Sequence, residues 1–236
     1  MTLRVTGSAG IRLHCAAPGG LMDALGRPAK DIDLVVPEKH RKGMRRLLEG
    51  RGYLIDRDLL IAMEGTRYSF RHAEHGTEID VFVERLSFCH TIELAGRLHR
   101  HQVTLPVEEL LLAKLQIVQP TMTDLMDVAV ILATHRVGDA QADLETIDGR
   151  HIAAIFARDW GFHHTATGNL RRISQAVGDG ASVDLGQAAN AGVHEAAAAL
   201  LAAVDAEPKS RTWRLRDRIG ERKQWWQDVD EKEATY

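Results

Sequence analysis

The hydrophobic pattern of this chain changes period at Pro106, and that change limits the fold more than any other feature. Before it, short runs alternate polar and apolar residues, as half-buried strands do. After it, Leu110, Leu111, Leu112 and Leu115 recur over helical turns. The pattern predicts an α+β protein. Residues 1–105 read as a mixed sheet with flanking helices on one side, and residues 106–236 as a helical region expected to close a cleft over it. The 236 residues suffice for one large domain or two small ones.

In the first part, Leu3 to Thr6 reads as a strand ending in Gly7-Ser8, with a short helix from about Ala9 to Cys15 and a break at Pro18-Gly19-Gly20. Asp31 to Val36 begins with alternation and turns apolar, as a strand entering a core does. Pro37 stops it and fits the first position of a helix running to about Gly50, with Met44, Leu47 and Leu48 as its buried stripe. Arg67–His72 and Glu78–Val83 read as a hairpin joined by a Gly-containing loop. Ile79, Val81 and Val83 should face one way, and Asp80 and Phe82 the other. A last short strand is expected near Leu98 to Leu105. In the second part Pro120 ends the first helix, and Thr121 or Thr123 caps a second to about His135. Further helices are expected over 140–160, 162–177, 187–205 and 209–227, the Ala-rich stretch 195–203 being close-packed.

Composition narrows the setting. Hydrophobic residues make up 44% and charged residues 27%, as in ordinary globular proteins, and the net charge of −3 gives no global pull toward nucleic acid. Two cysteines, Cys15 and Cys89, form no disulfide framework and predict reduced thiols in a cytoplasmic setting. Arg4 and polar residues interrupt any signal-like apolar stretch, and no apolar run has the roughly 18–20 residues of a spanning helix, so no membrane partner is expected.

The chemistry concentrates on aspartates. Asp31 and Asp33 stand two apart at the start of a strand, so their side chains project from one face. Two like charges held so close repel, and a divalent cation relieves the repulsion. Mg²⁺ or Mn²⁺ takes oxygen ligands of this kind together with substrate phosphates. Asp80 lies among apolar neighbours and needs a partner, for which a shared metal is suited. Two ions held this way, about 3.5–4 Å apart, activate an attacking hydroxyl and steady a leaving pyrophosphate. Gly7 at a strand end lets the backbone approach a phosphate, and Ser8 adds a hydroxyl and free N–H groups at a helix start.

The order Gly7-Ser8, then Gly26-Arg27-Pro28-Ala29-Lys30-Asp31-Ile32-Asp33-Leu34-Val35-Val36, then Glu78-Ile79-Asp80-Val81-Phe82, resembles the nucleotidyltransferase fold of the DNA polymerase β type. It looks closest to the minimal bacterial branch of AbiEii-like toxins and aminoglycoside nucleotidyltransferases. The segments from Pro106 to Gln116, with Lys114, and from Thr123 to Val128, with Asp124 and Asp127, extend the resemblance to about residue 135. It implies transfer of a nucleoside monophosphate from an NTP such as ATP to an acceptor hydroxyl of a small molecule or RNA. The metal ligands would be Asp31, Asp33 and Asp80. Gly7, Ser8 and Lys114 would bind the nucleotide, and Asp80, Lys114 and Asp127 would serve catalysis. A toxin-like relative would act on tRNA or protein and have an antitoxin partner. A third reading keeps the fold as a nucleotide-binding module without turnover.

Bland readings stand beside these. Asp124 and Asp127, three apart, read most simply as helix-surface carboxylates. Lys114, flanked by Leu111 and Leu115, is expected to point toward bound phosphates; as an unpaired cation in the free protein, its replacement by Met should leave stability unchanged or raise it. The basic run Lys39 to Arg46 reads as a solvated face. His99 and His101 share a predicted strand face but lack a third zinc ligand. Lys209 to Lys223 is basic, and Trp213, Trp225 and Trp226 are expected to pack on the body of the protein.

Overall fold

The structure is a computed structural model that describes residues 1–15, 21, 31–140 and 143–228. The Pro18-Gly19-Gly20 break and the Gly26 to Lys30 part of the aspartate segment lie outside the described residues. The chain forms two compact units. One comprises Met1–Leu86 with Thr91–Pro106, the other Ser87–His90 with Val107–Tyr236. Among the described residues no helix is long and apolar enough to cross a membrane.

The first unit is built on a five-stranded mixed sheet. Its strands are β1 (Arg4–Thr6), β2 (Ile32–Val36), β3 (Tyr53–Ile55), β4 (Arg67–His72) and β5 (Glu78–Val83), in the order β1-β2-β5-β4-β3. Only β2 and β5 pair in parallel; the other neighbours are antiparallel. As the alternation predicts, one face carries Leu34, Val36, Tyr68, Phe70, Ile79, Val81 and Val83 in a common core. Helix α1 (Gly7–His14) follows β1 directly. Helix α2 (Arg41–Glu49), preceded by a 3₁₀ turn at Glu38–His40, lays Met44 and Leu48 into that core. Leu47, expected in the stripe, is 44% exposed, because it lies off the i, i+4 line that joins Met44 and Leu48. Pro37 has extended backbone and caps the 3₁₀ turn rather than opening a helix.

Strand β3 and helix α3 (Arg57–Ala62) lie where no element was expected; Asp56 caps α3 by accepting the N–H groups of Asp58 and Leu59. The strand expected at Leu98–Leu105 is a series of turns, with one bridge from Val5 to Thr104. Pairing is confined to its end, where the Val5 N–H donates to the Val103 carbonyl and the Leu105 N–H to the Val5 carbonyl, while the His101 Nδ1 accepts the Thr104 N–H at 3.0 Å as a local turn bond. Two short strands, β6 (Arg85–Ser87) and β7 (Thr91–Glu93), pair with each other.

The second unit is mainly helical. Helices α4 (Val107–Leu115) and α5 (Met122–Thr134) come first, α5 closed by a capping box between Thr121 and Asp124. The helix expected over 140–160 is shorter. A small parallel ladder of β8 (Val137–Gly138) and β9 (Ile147–Asp148) precedes α6 (Gly149–Phe156), whose N-cap is Asp148. Helices α7 (Trp160–Ala176) and α8 (Gln187–Ala206) follow. The Ala-rich part of α8 buries Ala196, Ala197 and Leu200, and a Cβ on Gly192 would stand 3.3 Å from the Ala133 carbonyl oxygen, so α5 and α8 approach closely. The expected 209–227 helix shortens to α9 (Arg211–Asp217), capped by Ser210, and a 3₁₀ turn at Gly220–Arg222. Trp225 returns to α7, its Nε1 donating to Thr165 Oγ1 at 3.0 Å.

Candidate active site

One row across the sheet face opposite the core is polar, with the buried Val35 and Phe82 beside it on the same face. Thr6 is the Cα partner of Asp33, Asp33 of Asp80, and Asp80 of Ser69. The Asp56 N–H donates to the Ser69 carbonyl and continues the row. Residues directly opposite in adjacent strands share a face, so Asp33 and Asp80 stand side by side. Asp31 is half-buried and stands one residue before β2 begins.

Asp33 is also placed against α1. Gly7 opens that helix with φ of +61°, and a Cβ built on it would overlap Asp33 Oδ2. The carboxylate therefore rests on the first residue of a helix whose leading N–H groups have no intrahelical acceptor. The first turn of α1 carries no acidic residue of its own, so Asp33 supplies the negative charge that the positive helix end attracts. The helix begins two residues earlier than expected, which puts Ser8 in its first turn. Thr6, its N-cap, is buried, and among the described residues its hydroxyl has no hydrogen-bond partner.

Asp80 is 5% exposed, and its partner lies within the protein. Arg67 Nη2 donates to Asp80 Oδ2 at 2.8 Å, with both side chains 7% exposed, and the guanidinium lies 5.2 Å over the Phe82 ring. The register explains the contact. Arg67 pairs with Phe82 and Ser69 with Asp80, so Arg67 and Asp80 are diagonal neighbours on one face.

In the second unit Lys114 Nζ lies 2.9 Å from Asp124 Oδ1 and 3.0 Å from Asp127 Oδ2. Both aspartates are buried, Asp127 with 1% exposure, which corrects their reading as surface carboxylates. The reason is the spacing: three apart on α5, they turn one face toward the same cation. Burial alone would push the Lys114 amine down, but Asp127 and then Asp124 outweigh it and raise its pKa. Burial likewise works to raise Asp124, and Lys114 together with Thr121 more than offsets it, holding the carboxyl below its usual range. The two shifts agree on a charged pair. The expectation of an unpaired Lys114 is therefore corrected.

Comparison of the chain with models of protein families, with curated proteins and with solved structures finds no match.

The remaining sequence candidates do not form sites. Arg41 and Arg45 in the basic run pair locally with Glu38 and Glu49. His99 is exposed, and His101 turns to the Thr104 backbone, so the two do not share a strand face. Arg67 is the site residue that the pattern did not single out. The hairpin register carries its signal, since an arginine two residues before the partner of Asp80 falls diagonally beside that carboxylate.

The oxygen-only donor set of Asp31 and Asp33 suits a hard divalent ion. Asp80 already has one oxygen engaged by a cation.

Proposed function

We propose that this chain is a metal-dependent nucleotidyltransferase that moves a nucleoside monophosphate from an NTP to an acceptor hydroxyl of a small molecule or RNA. One observation supports this most. Asp33 stands in register with Asp80 in the polar row of that sheet face while its carboxylate rests on Gly7 at the start of α1. That brings carboxylates and a phosphate-competent helix terminus to one place.

In this reading Asp31 and Asp33 hold Mg²⁺ or Mn²⁺. The ion supplies charge neutralisation for the triphosphate and the departing pyrophosphate. The first turn of α1, with Gly7 and Ser8, takes phosphate oxygens through backbone N–H groups. Asp80, oriented by Arg67, aligns the acceptor hydroxyl beside Asp33. The chain's contribution is then mainly positioning and electrostatics. Lys114 and Asp127 lie in the second unit, where they pair with each other, and enter this reading only on the resemblance of their segment.

A second reading, a nucleotide-binding module without turnover, is favoured by the Arg67–Asp80 pair, which neutralises one of the three carboxylates. Incubation with the four NTPs and Mg²⁺ or Mn²⁺, following pyrophosphate release and labelled product, separates the two. Turnover that Asp33→Asn abolishes in a folded protein supports the enzyme, because an amide is nearly isosteric but lacks the ligand charge. NTP binding without pyrophosphate release leaves the module. Neither binding nor release overturns both.

A further inference from the structure

We propose that the helical unit carries a binding site of its own, a tryptophan-walled cavity at the starts of α7 and α9 that takes one nucleotide by its base and its phosphate. The proposal rests on none of the metal chemistry above.

The chain has only four tryptophans. Three of them, Trp160, Trp213 and Trp225, line one cavity of about 280 Å³ together with Arg158, Gly161 and Arg216. That volume is near the lower end of ligand sites, about 300–1,000 Å³, so it suits one small molecule and not a folded partner. Local contacts build the walls. Asp159 caps α7 by accepting the Phe162 N–H at 2.9 Å. Trp160, next in the chain, is buried, and its Nε1 donates to Asp217 Oδ1 at 2.7 Å. A Cβ on Gly161 would stand 2.5 Å from the Trp225 carbonyl oxygen, so the glycine lets the Trp225 segment lie against α7. Ser210 Oγ accepts the Trp213 N–H at 3.1 Å and fixes the first turn of α9. Trp213 and Trp225 are half-buried, and the rings beside them, His163, Trp160, His164 and Trp226, stand at 78–87° to them. Among the described residues no ring is stacked parallel on either indole, so a flat ligand can take that place.

The cavity is also cationic. Arg216 lies 4.6 Å over the Trp160 ring while its Nη groups donate to the Gly220 and Lys223 carbonyls, which holds its charge at the wall. Arg158 is exposed and has no ion-pair partner among the described residues. Asp159 lines the cavity too, but its carboxylate is engaged at the positive end of α7. Lys209, 6.0 Å over the Trp213 ring, adds to the positive sign. An acidic peptide would use the arginines and leave the indoles idle, and a neutral aromatic would do the reverse. A nucleotide uses both, its base stacking on indole and its phosphate meeting guanidinium. A free mononucleotide and a nucleotide within single-stranded RNA share this chemistry.

The test titrates the full chain, in EDTA so that no metal contributes, with AMP, adenosine and a short single-stranded oligoadenylate. Tryptophan fluorescence reports directly, since three of the four indoles line the site, and calorimetry checks the stoichiometry. AMP should quench saturably, one per chain, and adenosine should bind about tenfold more weakly because it lacks the phosphate. Arg158→Gln, a change at an exposed side chain, should weaken AMP by about tenfold and leave adenosine unchanged. Trp213→Leu should weaken both by about tenfold. If that variant does not fold, Arg158→Gln with the AMP and adenosine comparison carries the test. Oligoadenylate binding at least about tenfold tighter than AMP identifies RNA as the source, and binding no tighter than AMP identifies the free nucleotide. The proposal is overturned by no binding of AMP or oligoadenylate at millimolar concentration, or by parent-like AMP binding in Arg158→Gln. Polyglutamate that binds as tightly as AMP also overturns it, leaving only a general anion surface. Because EDTA is present throughout, these failures leave the metal-dependent transfer reading standing, and loss of Mg²⁺-dependent turnover leaves this site standing.

Discussion

Gly7 lies directly against the carboxylate of Asp33. A Cβ on Gly7 would overlap Asp33 Oδ2 and come within 2.9 Å of its Cγ. The glycine also has φ of +61°, a region that strains a residue with a side chain. Gly7→Ala therefore meets two costs, one in the backbone and one in the carboxylate it displaces. We expect unfolding free energy to fall by about 1–3 kcal/mol. Mn²⁺ affinity should fall as well, because Asp33 must move. Thermal denaturation with and without Mn²⁺ checks both. An alanine variant that equals the parent in stability and in metal-induced stabilisation contradicts the contact.

Lys114 gives a prediction opposite to the one the sequence suggests. Read along α4 alone it is a cation stranded among leucines, and its removal should be harmless. In the folded unit it stands between Asp124 and Asp127 with 16% exposure. Lys114→Met would leave two buried carboxylates facing each other. Breaking a buried pair in this way costs about 3–5 kcal/mol. Urea unfolding should show a loss of that size. The triple variant in which Asp124 and Asp127 also become Asn should recover part of it, since no buried charge then lacks compensation. Parent-like stability of Lys114→Met would mean the triad is not formed in solution.

The strands that carry the aspartates were legible because they have two clear faces. Ile79, Val81 and Val83 went into the core and Asp80 to the other side, as strict alternation requires. The Arg67–His72 and Glu78–Val83 hairpin was legible from two β-rich runs around Gly76. What failed was local or non-local in a definable way. β3 has three residues, too few for a period to show, and α3 is six residues defined by its Asp56 cap rather than by an apolar stripe. The expected strand at 98–105 is reduced to the pairing of Val103 and Leu105 with Val5, the residues before it being turns that β-propensity does not register. Arg67 and the Lys114 triad depend on pairing between separate segments, and a single segment's pattern carries no information about its partner's charge. Asp124 looked exposed because a carboxylate usually is, and only the lysine ten residues earlier reverses that.

The last prediction concerns acid. His90 is buried, stacked on Phe162 with ring planes 3° apart and centroids 5.0 Å apart. Its Nε2 lies 2.9 Å from Thr165 Oγ1, which also accepts the Trp225 indole N–H. Burial of the ring in this stack disfavours its charged form. Burial lowers its pKa from 6.5 to about 4, with Asp159 opposing weakly. His163 shifts to about 4 as well, through burial and then Lys209 and Arg171. The sign follows from which state binds more protons. Between pH 6.5 and 4 both histidines are protonated when unfolded and neutral when folded, so stability is full above about pH 6.5 and falls as the pH drops toward 4. Each contributes a slope of up to about 1.4 kcal/mol per pH unit, with His163, the more exposed, giving less. The upper part of the window, from 6.5 down to about 5, isolates the histidines from most carboxylates. His90→Gln should lower stability at pH 7 by about 1–2 kcal/mol, because the stacked ring is lost, yet flatten the decline between pH 6.5 and 5. Urea unfolding of parent and variant at four or five pH values measures both effects. If the two proteins lose stability in parallel over that range, His90 does not titrate as its buried position requires.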